Sequence, residues 1–401
     1  MIGAREIVEI GARLADRAGP SPPAVYDIRI DAADMETLED EALLRHAGHQ
    51  TLLRAYQGRY VLLPSEAPGD SIVERLKRHY DPMEMGRLDA LRPALEAELI
   101  GPLMAQAQAR AAGADCGAYV AALLPELRGS EANPFLAFLE ENPARSDHYR
   151  NFLIQSSADL LAEASASALG VVGEFGEPQS ALFRILIDEF GYGAHSRKHS
   201  VLYRATLRDF GLSQEYNAYW PLFDTVTLEL HNAIHHLFQN PRNFFAQIGF
   251  LLFAETSYQR STAQHFRYLR RFHPSVDARY FGEHAHIDLH HAAMVVDEVV
   301  TPLVAKFGPE VGTEIVKGAE LTRAVFDAAG EHMLAVSRAF DAAAAKGLAS
   351  YGIPEAGGPP GRCVSPRTAS GPGQVQVGGL GVLLEAGAFA DFPVGAIGRQ
   401  G

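Results

Sequence analysis

Cysteine is nearly absent from this chain, and the two that occur, Cys116 and Cys363, stand far apart and outside any C-x-x-C spacing. A disulfide framework and a thiolate metal site are therefore not expected. Basic residues are outnumbered, with 35 Lys and Arg against 49 Asp and Glu in 401 residues and a formal net charge of -14. A general nucleic-acid partner, which needs a clustered basic surface to neutralise phosphate, is not expected either. Long apolar runs are missing too. The longest in the middle of the chain, 248–254, falls far short of the roughly 20 residues that span a bilayer, and Arg5, Glu6 and Glu9 interrupt the N-terminal stretch where a signal peptide needs an apolar core. The expected protein is cytoplasmic, without a membrane partner. No G-x-G-x-x-G lies between a strand and a helix, so a built-in nicotinamide or flavin domain is not expected. What is left, 47% hydrophobic and 21% charged, is globular and long enough for two or three domains.

Histidine is concentrated: eleven of the sixteen lie between His195 and His291. Before this region, 24–31 and 60–64 read as short strands and 35–45 and 85–112 as helices, with no catalytic signature. From about 146 to 349 the pattern becomes long helices of 3.6-residue periodicity, broken at Gly191-Tyr192-Gly193, Asn240-Pro241 and His273-Pro274. Beyond Ile353, 12 Gly and 6 Pro fall within 48 residues. That composition predicts a mostly disordered tail, with a short strand at 375–384. The expected division is an N-terminal region 1–145, a helical domain 146–349 and a tail 350–401.

Within 281–300, His284, Asp288 and His291 share one helix face, within an arc of about 60° at about 100° per residue, while His286 and His290 point the other way. Two imidazoles and a carboxylate suit a divalent metal such as Fe, Mn or Zn. The alternative is a His-rich helix end facing solvent. Glu255 and Glu189 fall on stripes of core residues, and His199 opens the helix after the Gly191 break. A buried carboxylate is costly unless it is paired or holds a metal, so the alternative for each is a salt bridge or a neutral acid. Three carboxylates and three imidazoles would leave two Fe(II) ions at a net +1, with one carboxylate bridging. A ferritin-like bundle needs an acid three residues before a histidine on each of two helices. Only Glu283/His286 and Asp288/His291 meet that spacing, both in one segment. His231 and His235 share a face at i, i+4 without a third ligand, and with His236 are read as supporting or surface residues.

The order Glu189, His199, Glu255, His284-x3-Asp288-x2-His291, with the phrases Asp188-Glu189-Phe190-Gly191-Tyr192-Gly193 and Ala254-Glu255-Thr256-Ser257, resembles the haem-oxygenase-like di-iron oxidases and oxygenases. The resemblance implies a mainly α chain: a haem-oxygenase-like seven-helix bundle over 146–349, preceded by a mixed or helical N-terminal dimerisation region and followed by a flexible tail. It implies Glu189, His199 and His291 near one iron, His284 and Asp288 near the other, and Glu255 between them. Glu163, placed with Phe152, Ser156 and Leu160 on a helix over 149–168, corresponds to an extra carboxylate ligand in N-oxygenating members; Asp159 competes for that role. The implied reaction uses O2, two Fe ions and an external electron donor to oxygenate an amine or guanidine of a small molecule, in a cytoplasmic homodimer active in specialised metabolism. Oxidative decarboxylation of a fatty acid, cleavage of an amino acid and a non-catalytic helical scaffold are the alternatives. A haem-using relative is disfavoured by the buried acids, and a thiaminase-like one by cysteines outside the core. Arg204, Arg242 and Tyr258 are candidate substrate contacts.

Overall fold

A computed structural model describes residues 26–28, 40–63, 71–129, 132–141, 146–345 and 349–351. These residues are almost entirely helical, as the periodicity over 146–349 predicts. The first elements are β1 (Tyr26–Ile28), α1 (Asp40–Gln57), α2 (Ile72–His79), α3 (Pro82–Leu95), α4 (Gly101–Ala111), α5 (Cys116–Leu127) and α6 (Pro134–Glu141). Local signals start several of them. Ser71 and Glu74 form a reciprocal capping box at α2, and Asp81 caps α3 ahead of Pro82, whose missing N–H costs nothing at that position.

The remaining helices are α7 (Ser146–Leu160), α8 (Ser165–Gly170), α9 (Glu177–Glu189), α10 (His199–Asp209), α11 (Thr225–Phe238), α12 (Phe244–Phe272), α13 (Arg279–Met294), α14 (Thr301–Phe307) and α15 (Pro309–Ala345), closed by β2 (Ala349–Tyr351). The strand read at 24–31 is reduced to the three residues of β1, which pair antiparallel with β2, Tyr26 opposite Tyr351. The strand expected at 60–64 does not form over 60–63. The helix read at 35–45 begins at Asp40 within the described residues and runs on to Gln57. The 85–112 helix is three pieces, α3 and α4 joined by a π turn at Glu96–Ile100. The expected strand at 375–384, Cys363 and the tail beyond 351 lie outside the described residues.

The 29-residue α12 and the 37-residue α15 form the spine. They approach so closely that a Cβ on Gly249 would sit 1.9 Å from the Ile315 carbonyl oxygen, and one on Gly318 would sit 1.8 Å from that of Ala246. Two apolar clusters pack along this spine. One gathers Tyr149, Leu153, Tyr203, Leu269, Tyr280 and Phe281; the other gathers Leu186, Phe253, Ala254, Met294, Val295 and Ile315. The polar residues of α13 fall between Phe281 of the first cluster and Met294 of the second. The N-terminal helices dock on α11: the Asn232 amide donates to the His49 carbonyl at 2.9 Å, and the Arg92 guanidinium to the Gln239 carbonyl at 3.0 Å. No described helix is long and apolar enough to cross a membrane.

Candidate metal centre

The α13 face behaves as its spacing predicts. His284, Asp288 and His291 are 2%, 0% and 0% exposed, while His286 and His290 face solvent. One turn earlier on the same helix, the Tyr280 carbonyl accepts from His284 Nδ1 at 3.1 Å. That bond leaves Nε2 free to face the centre, where it lies 3.1 Å from His199 Nδ1 and 3.3 Å from Glu163 Oε1. A backbone acceptor of this kind sets both the tautomer and the ring direction of a metal-ligating imidazole.

Glu189 and His199 are ten residues apart because a tight turn separates them. Glu189 ends α9, His199 opens α10, and Gly191, Tyr192 and Gly193 all have positive φ, of 71°, 55° and 78°. Any side chain at 191 would also collide with the backbone, since a Cβ there would lie 2.4 Å from Lys198 N. Glycine is therefore required at 191 by both conformation and space. The turn brings Glu189 Oε2 to 2.7 Å from His199 Nδ1.

Glu163 reaches the same place by a different route from the one expected. The helix read over 149–168 stops at Leu160 and resumes at Ser165, with Ala164 at φ 64°. Glu163 sits in this break, not on a helical stripe with Phe152 and Leu160. The break turns its carboxylate inward, where Oε1 accepts from the Tyr280 hydroxyl at 2.6 Å.

Seven donors thus converge in two groups. Glu163, Glu189, His199 and His284 form one, and Glu255, Asp288 and His291 the other, each with ligand atoms within 4.8 Å of one another. His291 Nδ1 lies 3.2 Å from Glu255 Oε2 and 3.8 Å from both Asp288 Oδ1 and Glu189 Oε1. The grouping differs from the one the resemblance implies: His284 sits with Glu189 and His199, and His291 with Asp288 and Glu255. Glu189 touches both groups.

Asp188 escaped the sequence reading as a functional residue, although it stands inside the quoted phrase. Its Oδ2 lies 3.1 Å from His291 Nε2. A carboxylate that orients a ligating histidine is a recurrent supporting element whose loss costs about 10–100-fold in metal affinity. Asp188→Asn is accordingly expected to weaken iron binding by about that factor without unfolding the protein, measurable by competition with a chromogenic chelator. Tyr280 was also missed as a functional residue, although it opens the phrase Tyr280-Phe281-x-x-His284, which belongs to the same resemblance.

The donor set fits a metal. Among the described residues, both oxygens of fully buried Asp288, and Oε2 of Glu163, have no hydrogen-bond partner. Buried carboxylates left in that state cost several kcal/mol unless a cation compensates them. Burial pushes the Asp288 carboxyl well above its usual range, against the pull of His284. Burial also opposes charge on the histidines, yet Glu163 and Asp288 hold His284 well above its usual value, and the bond to Glu255 pushes His291 up to about 9. In the metal-free protein at pH 7 these imidazoles therefore keep their protons. A metal needs them neutral, so uptake must displace on the order of two protons per chain. Iron affinity is expected to strengthen as pH rises from 6 to 8, with proton release visible to an indicator dye. A pH-independent affinity would contradict the assignment.

Two cavities adjoin the centre. One, of about 70 Å³, is bounded by Asp159, Glu163, Glu189, Glu255, Tyr258 and His284. The other, of about 480 Å³, shares Asp159 and Tyr258 and extends past Tyr280, Phe281 and Phe326 to Asp327 and Gly330, which are exposed. Of the candidate substrate contacts, Tyr258 lines both cavities, whereas Arg204 and Arg242 line neither. Arg204 donates instead to the Gln214 carbonyl. His231 and His235 are not at the surface but 5% and 4% exposed. His231 lines the larger cavity, and His235 packs between Tyr56 and Tyr60 in the seam with α1. Packing explains the difference at His235: α1 covers a face of α11 that reads as polar in isolation.

Residues 150–327 match the family described as iron-containing redox enzyme, of haem-oxygenase type. The chain is also similar to the nitrosourea synthase of Streptomyces achromogenes subsp. streptozoticus, 33% identical over 258 residues, which cover 63% of this chain and 54% of that relative. The chain thus spans about half the length of the curated relative it matches. Residues 150–327, which match the iron-containing redox enzyme family, thus form a haem-oxygenase-like helical bundle around buried histidines and carboxylates.

Proposed function

We propose that this protein is a non-haem di-iron oxidoreductase that uses O2 to oxygenate a nitrogen of an amine or guanidine. The observation that carries the reading is the convergence of four carboxylates and three imidazoles, with both oxygens of buried Asp288 lacking a hydrogen-bond partner among the described residues. Glu163, Glu189, His199 and His284 would hold one ion, and Glu255, Asp288 and His291 the other, with Glu189 placed to reach both. Iron supplies the redox chemistry with O2 when bound. The chain's own residues do the rest. Tyr280 holds Glu163 through its hydroxyl and His284 through its carbonyl, Asp188 orients His291, and the apolar clusters on either side keep bulk water out.

Similarity to a nitrosourea synthase supports nitrogen as the site of oxygenation. The same reading includes an external reductant to restore Fe(II), and residues 1–145 as a dimerisation module ahead of the catalytic domain. The test is an anaerobic Fe(II) titration followed by an O2 pulse watched by stopped-flow absorption. Uptake of about two irons per chain and a transient visible band, both lost in Glu255→Ala, are expected. Absence of iron uptake by a folded protein would overturn the proposal in favour of a helical scaffold. Turnover of a fatty acid but no amine or guanidine would redirect it to oxidative decarboxylation.

A further inference from the structure

One inward-facing carboxylate belongs to neither group of donors. Asp159, on the last turn of α7, lines both the 70 Å³ and the 480 Å³ cavity. Among the described residues its side chain has no hydrogen bond and no ion pair. Its charged neighbours, Glu163 and Glu189, carry the same sign. Arg260 also lines the larger cavity and is engaged by a partner of its own. Asp159 is half-buried, and burial beside Glu163 and Glu189 pushes its carboxyl up to about 7; a cation entering the cavity would offset the cost of its charge and hold it ionised.

The surroundings favour such a guest. Two divalent ions would be neutralised by Glu163, Glu189, Glu255 and Asp288, so they would not compensate Asp159 as well. The lining is rich in aromatic faces, Phe152, Phe253, Phe281, Phe326, Tyr258 and Tyr280 among them, and such faces attract ammonium and guanidinium groups. The two histidines of the lining do not oppose a cation. Burial pulls His231 down to about 4 and His265 down to about 3, so both are neutral at pH 7. The route from outside passes the exposed residues Ala132, Pro134, Asp327 and Gly330.

We infer that Asp159 is the specificity-determining anchor of the substrate: it seats a cationic nitrogen, ammonium or guanidinium, against Tyr258 and Tyr280, beside the metal centre. The inference deepens the nitrogen-oxygenase reading and rests on it for what happens to that nitrogen, but not for binding.

The probes are n-butylguanidinium, its neutral isostere N-butylurea, and laurate, titrated calorimetrically into anaerobic Fe(II)-loaded wild type and Asp159→Asn. The wild type is expected to prefer the guanidinium over the urea by at least about tenfold, as a charge-assisted contact gives. Asp159→Asn is expected to bring that ratio close to one while binding the urea and iron as the wild type does. Three results would overturn the inference: an unchanged preference in Asp159→Asn, loss of iron from that variant, which would make Asp159 a ligand, or a wild type that binds laurate more tightly than the cation. Lack of iron uptake by the wild type would sink the di-iron reading alone. The same comparison on the two metal-free proteins would then decide the role of Asp159.

Discussion

Alanine in place of Glu189 is expected to abolish tight iron binding at both halves of the centre, whereas Glu163→Ala should spare the half built on Glu255, Asp288 and His291. Glu189 is placed to reach both groups, with Oε2 2.7 Å from His199 and Oε1 3.8 Å from His291. Burial disfavours its charge, yet His199 holds its carboxyl below the usual range, so it is anionic and ready to bind a cation at pH 7. Its removal takes an anionic donor from one ion and the nearest shared carboxylate from the pair. The loss should therefore exceed the ~10–100-fold that a supporting residue such as Asp188 contributes. Metal analysis after anaerobic loading and desalting reads the outcome, and unchanged far-ultraviolet circular dichroism establishes that the variant is folded. Retention of near two irons per chain would show that Glu189 bridges nothing.

Valine at Gly249 is expected to cost about 3 kcal/mol or more, at or beyond the upper end of ordinary overpacking, out of a typical total of about 5–15 kcal/mol. The obstruction is backbone: the Ile315 carbonyl oxygen at 1.9 Å and the Ala319 nitrogen at 2.6 Å from the added Cβ. A side chain in that position could rotate aside, but a helix backbone cannot, so α12 and α15 must separate. Glu255 rides on α12, six residues from Gly249, so whatever folded protein remains should also bind iron more weakly. Gly330 on α15 is the control, because a Cβ there meets nothing within 4 Å. Alanine at that position should stabilise the helix by roughly 0.5–1 kcal/mol. Urea denaturation of the two variants gives the comparison; a Gly249→Val midpoint equal to that of wild type would mean that the two helices are not held this closely.

How much of the centre could be read in advance depended on how local its geometry is. His284, Asp288 and His291 lie within eight residues of one helix, and 3.6-residue periodicity alone puts them on a buried face and His286 and His290 outside. Glu255 and Glu189 were legible because a charged residue on an apolar stripe is anomalous wherever the helix packs. Glu163 was placed on the correct segment but in the wrong conformation. The helix break at 161–164 follows from Glu163 meeting Tyr280, a contact 117 residues apart, and no nearby proline or glycine announces it. His231 and His235 were read as supporting or surface residues, and only packing between separate helices decided that both are buried, His235 under a helix about 180 residues earlier in the chain.

By itself the sequence determined that the chain is mainly helical over 146–349, that its acids and histidines recur on helix faces, and which of them should face inward. Those properties depend on the rise and twist of a helix, which neighbouring residues set. Only the tertiary structure decided which donors meet, that Glu189 touches both groups, that Asp188 holds His291, and that Asp159 faces the cavities unpaired. Each of these depends on where separate helices cross, and a crossing such as Gly249 against Ile315 is set by packing across the chain, not by spacing along it.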